Sequence, residues 1–119
     1  MVIQTADREV AEELELYIIN DSGMYRQMAQ PLILNYARKK VNRTYDGNLA
    51  IKGFINLVET GVKKYRRDFG SDSLGGPINR ATKELTGKHL LRYYQEEIMD
   101  TARMMKILKD AGKPWTMRG

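Results

Sequence analysis

Cysteine is missing from the sequence, and histidine occurs once, at position 89. Disulfides, thiolate nucleophiles and cysteine-ligated zinc are therefore excluded, and a Ser-His-Asp relay has one choice of imidazole and no identifiable nucleophile. Long apolar runs are missing too: stretches such as "PLIL", Pro31 to Leu34, fall far short of the ~20 residues of a membrane span, so no membrane association is expected. The start, "MVIQTADREVAEELE", turns acidic within a few residues where a secretory leader needs a basic start and an unbroken apolar run. A soluble, cytoplasmic protein is the expectation.

The phosphate-loop order G-x-x-x-x-G-K-[ST] does not occur, and "GSDSLGG" follows a helical stretch and reads as a turn. No Glu-x-x-His pair supports a metal site in a helical bundle. Glu96 and Asp100 in "QEEIMD" stand one turn apart, but Arg92 lies one turn before Glu96 and a salt bridge is the simpler use of that carboxylate. His89 is read as solvent-facing. "RATKELTGKHLLRYY" has the small residues of a helix-turn-helix without its spacing. No catalytic, cofactor-binding or metal-ligating residue emerges, and the chain is read as non-enzymatic.

Alternating β-branched runs are absent, and helical spacing takes their place. The pattern predicts an all-α compact bundle of four to five helices in one domain spanning residues 1–119. An acidic helix within 1–20 places Val10, Leu14, Tyr17 and Ile18 on one face. Across 21–70, Met24, Met28, Leu32 and Tyr36 recur every four residues through Pro31, which either kinks one helix or opens a second. Asp46 is the strongest N-cap, preceding a central helix with Ala50, Phe54, Leu57, Gly61 and Tyr65 on one stripe and Ile51, Ile55, Val58 and Val62 on the next. Gly53 and Gly61 in that helix point to close crossings by other helices. Over 77–112, Pro77 is read as the first turn of a helix with Ile78, Ala81 and Leu85. Thr86-Gly87 interrupts or caps it, and a long C-terminal helix runs from Lys88 to a stop at Gly112 and Pro114. The tail 113–119 is too short to fold alone.

The net charge of +5 is unevenly spread: −4 over residues 1–20, +6 over 21–70 and +3 over 71–119. An acidic segment beside a basic one implies partial self-neutralisation wherever the two pack. Two basic clusters, Arg38, Lys39, Lys40 and Arg43, then Lys63, Lys64, Arg66 and Arg67, fall in the last turns of helices, where cations offset the negative end of the helix dipole. They are the candidate contacts for nucleic acid or an acidic partner, although antiparallel packing sends them to opposite poles. Met99, Met105, Leu108 and Trp115 are the candidate contacts of a homodimer, because the C-terminal helix is longer than a compact domain needs and methionines make adaptable surfaces.

From Asn20 to Gly70, the Asn-Asp start, the spacing of Tyr25 and Pro31, the Arg38-Lys39 pair, "YDGNLA", "LVETGVKKY" and "DFG" resemble small uncharacterised proteins encoded by bacteriophages and prophages. The resemblance covers somewhat under half of the chain. It implies a mobile-element setting inside a bacterial cell and supplies no catalytic residue. "DFG", Asp68 to Gly70, lacks the lysine and catalytic loop of a kinase. The leading expectation is a small accessory protein that works by binding a host or phage macromolecule, a protein first; the alternative is a nucleic-acid binder using the two basic clusters.

Overall fold

Asp46 stands in extended conformation at the head of the central helix, and its carboxylate accepts from the backbone N–H groups of Asn48 at 2.8 Å and Leu49 at 3.2 Å. Two orphan donors of the first turn are thereby satisfied. The computed structural model describes residues 5–113, with side chains from residue 7 onward. Its helices are α1 (Thr5–Ile19), α2 (Ser22–Met24), α3 (Gln30–Val41), α4 (Gly47–Phe69) and α5 (Arg80–Asp110). A π-helical turn, Tyr25–Ala29, joins α2 to α3, and a single 3-10 turn, Ser73–Gly75, lies in the loop before α5. The fold is an all-α bundle with a long C-terminal helix, and no strand occurs among the described residues.

Helix α5 is the spine. Glu15 of α1 meets His89, and further along Tyr25 of the π turn donates to Glu97. The end of α3 then lies beside Met105 and Lys109. The chain from α1 to α3 therefore runs along α5 in the same direction. Helix α4 runs against it, with Glu59 near Lys83 and Phe54 stacked on Tyr94. At 1.5 Å per residue, the 31 residues of α5 extend about 45 Å, most of the molecule's 53 Å length.

Both central-helix glycines mark close crossings, as their cost in a helix interior implies. A Cβ at Gly53 would collide with the hydroxyl of Tyr36 from α3, and one at Gly61 would lie 2.6 Å from Ile18 of α1. The core carries a row of rings, Tyr45, Tyr36, Phe54, Tyr94 and Tyr25, with successive centroids 6.0 to 6.2 Å apart. Such pairs add about 0.5–1.5 kcal/mol each beyond their burial.

Pro31 resolves as a mixture of the two expected outcomes. The helical path is continuous from Ser22 to Val41, yet a new α register begins at Gln30, whose N–H reaches back five residues to the carbonyl of Tyr25. The wider turn leaves room for the proline ring, which in an α turn would press on the carbonyl of Gln27.

The C-terminal segment departs from expectation. Pro77 and Ile78 precede the helix, which starts at Arg80 behind Asn79; the Asn79 side chain accepts from the N–H of Thr82 at 2.8 Å. Thr86-Gly87 neither caps nor interrupts. The Thr86 hydroxyl donates to the carbonyl of Thr82 at 2.8 Å, and Gly87 backs onto α4, where a Cβ would lie 3.3 Å from the carbonyl of Ile51. A residue pair with poor helical propensity is thus retained inside a helix by a close crossing. The expected stop does occur: Gly112 (φ +72) closes α5, with Gly112 N–H donating to Lys109 and Lys113 N–H to Leu108.

Candidate functional site

The two basic clusters lie at opposite ends of the molecule and have different fates. Arg66 of α4 donates to the carbonyl of Gly76, just before α5 begins, whereas Arg38 of α3 faces Lys109 near the other end of α5. They do not form one surface. Within the α4 cluster, Lys64 pairs with Asp21 at 2.8 Å and Arg66 is committed to the loop carbonyl, which leaves Lys63 and Arg67 pointing outward. The carboxyl of Asp21 is held below its ordinary range by Lys64 and by the backbone N–H of Met24. Neutralisation takes place here, though by Asp21 of the basic segment itself and not by the acidic residues 1–20.

At the far end it does not. Helices α3 and α5 terminate side by side, so Arg38, Lys39, Lys40 and Arg43 are joined by Lys106, Lys109 and Lys113. Seven cations against Asp46 and Asp110 leave a surplus of five, equal to the net charge of the whole chain, so the rest sums to zero. Two helix C-termini carry together only about one unit of negative charge, and the excess therefore faces solvent. None of the seven has an ion-pair partner among the described residues; Lys40 sits over the ring of Tyr45, 4.0 Å from its centroid.

Between the two helix ends is a cleft of about 570 Å³. Arg38, Lys109 and Lys113 form its rim, and Val41 and Met105 its apolar floor. The aromatics that bracket the basic run in sequence are not stacking platforms. Tyr36 is core, and the half-buried Tyr45 stands perpendicular to it, with one face covered by Lys40. Burial raises both phenols above the ordinary tyrosine range, Tyr45 with help from Asp46. A nucleotide base would find Tyr36 buried and one face of Tyr45 already taken by Lys40.

Arg43 ends α3 in left-handed conformation (φ +59), with Arg43 N–H donating to Lys40 and Thr44 N–H to Lys39. Glycine is the usual occupant of that position. An arginine held there places a cation just past the C-terminus of α3 at a backbone cost of about 1–2 kcal/mol.

The proposed dimer contacts separate. Met99 is exposed, Leu108 is half-buried, and Met105 is 6% exposed and committed to the core against α3, so it is no surface contact. Trp115 lies outside the described residues. His89 is not solvent-facing: it sits mid-helix, half-buried, with Nδ1 3.2 Å from Glu15 Oε2, at ion-pair distance but out of line for a hydrogen bond. Arg92 forms no pair with Glu96 among the described residues; Asp100 pairs with Arg103 at 3.1 Å. No cluster of three metal-ligating side chains occurs among the described residues, and no helix there is long and apolar enough to cross a membrane.

Sequence reasoning missed Lys106, Lys109 and Lys113 as members of the site. Their signal was present as cations in and after a helix's last turn. What the sequence does not carry is that α3 and α5 run in the same direction and end together. No protein-family model matches the chain, and no curated protein or solved structure matches it.

Proposed function

We propose that this chain is a non-enzymatic accessory protein, of the bacteriophage type that the resemblance implies, which docks an acidic amphipathic segment of a partner protein at the ends of α3 and α5. The observation that carries this reading is the combination of a basic rim with an apolar floor in one cleft. Carboxylates of the partner meet Arg38, Lys109 and Lys113, and one apolar side chain covers Val41. Nucleic acid fits the same place less well. Tyr36 is core and the half-buried Tyr45 already carries Lys40 over its ring, so the place offers bases a poor stacking platform.

The test is fluorescence anisotropy with a labelled peptide of alternating Glu and Leu turns, beside a labelled DNA duplex and single strand, across a salt series. Peptide binding that weakens with salt, and that is lost on Lys109→Glu with Lys113→Glu, is the expected result. Preference for DNA at every salt concentration would transfer the site to the nucleic-acid alternative.

A further inference from the structure

The chain carries a surface complementary to its own basic cleft. On α1, Leu16 is 56% exposed, and Phe69 at the end of α4 is 63% exposed; both line a cleft of about 370 Å³. Around them stand carboxylates. Glu13 accepts from the hydroxyl of Tyr65 at 3.1 Å and Asp68 from that of Tyr17 at 2.5 Å. A phenol donor fixes a carboxylate in place without cancelling its charge, so both acids remain available to an incoming cation. Glu12 adds a further acid on the exposed side of α1, one turn from Leu16.

We propose that the acidic face around Leu16 and Phe69 of one copy docks in the basic cleft of a second copy. Apolar side chains of the first cover Val41 of the second, and Glu12, Glu13 and Asp68 meet Arg38, Lys109 and Lys113. This rests on the reading of the cleft given above and names its occupant as another molecule of this chain. The two surfaces are different and lie apart on the molecule, so the contact is heterologous and propagates head to tail, unlike a two-fold dimer. A contact confined to two such clefts belongs with weak and transient interfaces. Self-association is therefore concentration-dependent and, being driven by charge, lost at high salt.

Two variants isolate the contact. Lys109→Glu with Lys113→Glu disables the cleft, and Glu12→Lys with Leu16→Lys disables the acidic face; all four positions are exposed, and circular dichroism checks that each variant is folded. In sedimentation velocity at low salt, the wild-type protein is expected to gain mass with concentration and to revert to monomer at high salt. Each variant alone stays monomeric, and an equimolar mixture stops at a dimer, because one intact pair of surfaces remains. A wild-type protein that is monomeric at every concentration, or variants that associate as the wild type does, overturns the proposal. Anisotropy with the Glu-Leu peptide separates the two failures. Peptide binding by a strictly monomeric protein removes self-docking and keeps the cleft reading, whereas absence of both removes both.

Discussion

Lys64 Nζ lies 2.8 Å from Asp21 Oδ2, which ties the last turns of α4 to the residue that caps α2. Asp21 does two jobs, because its other oxygen accepts from the N–H of Met24 at 2.8 Å. Lys64 of the α4 cluster is thus a structural device, and only Lys63 and Arg67 of that cluster are left facing outward.

Asp21→Ala removes both contacts and is expected to cost about 1–2 kcal/mol; Lys64→Met removes only the pair and costs less than about 1 kcal/mol. The folded-state pKa of Asp21 is depressed, so its contribution is present above the unfolded value near 3.8 and is lost as pH falls below it. Urea unfolding between neutral pH and pH ~3 should show a shallower acid loss in Asp21→Ala than in the wild type.

Arg43→Gly separates stability from binding. Relief of the left-handed strain at φ +59 should stabilise the fold by about 1 kcal/mol, while loss of one cation from the basic end of α3 weakens binding of the acidic peptide. Thermal denaturation and anisotropy on the same sample read the two effects in opposite directions.

Gly61→Ala is expected to destabilise by about 1–3 kcal/mol, since the new methyl meets two carbons of Ile18 at 2.6 Å. Ile18→Ala costs on its own through the cavity it leaves. The double variant should lose less than the two single losses combined, because the smaller side chain admits the methyl. Additive losses would show that Ile18 does not set the approach of α1 to α4.

Alkaline pH tests the aromatic row. Burial, then the acid it faces, pushes Tyr25 up to about 12; burial and the neighbouring phenol Tyr93 do the same for Tyr94. Both folded-state values lie above the ordinary 10.0, so the folded protein holds more protons than the unfolded chain between the two values. Stability is therefore full below pH ~10 and falls as pH rises toward ~12. Tyrosinate absorbance of these two rings should lag behind that of free tyrosine and then rise together with loss of helical circular dichroism.

Local signals in the sequence carry the helices well. The Asp46 cap, the paired apolar stripes of α4 and the Gly112 stop need only neighbouring residues to be read, and each is where the pattern puts it. Thr86-Gly87 misleads because its propensity is local while its role is tertiary: Gly87 is there for the carbonyl of Ile51, a residue 36 positions earlier. The site was half legible for the same reason. Arg38 to Arg43 stand out as a run, but Lys109 and Lys113 join them only through the shared direction of α3 and α5, and Lys64 leaves the surface only through Asp21. Met105 shows the limit of composition, since a methionine suited to a partner surface serves equally well as core filler.

The most direct measurement compares charge reversal at the two ends in one peptide-binding assay. Lys109→Glu with Lys113→Glu is expected to abolish binding of the acidic peptide, and Lys63→Glu with Arg67→Glu to leave it within about twofold of wild type at near-physiological salt, where the ends lie several Debye lengths apart. Equal losses from the two pairs would mean that the protein is recognised by its overall charge, and would contradict a binding site at the ends of α3 and α5.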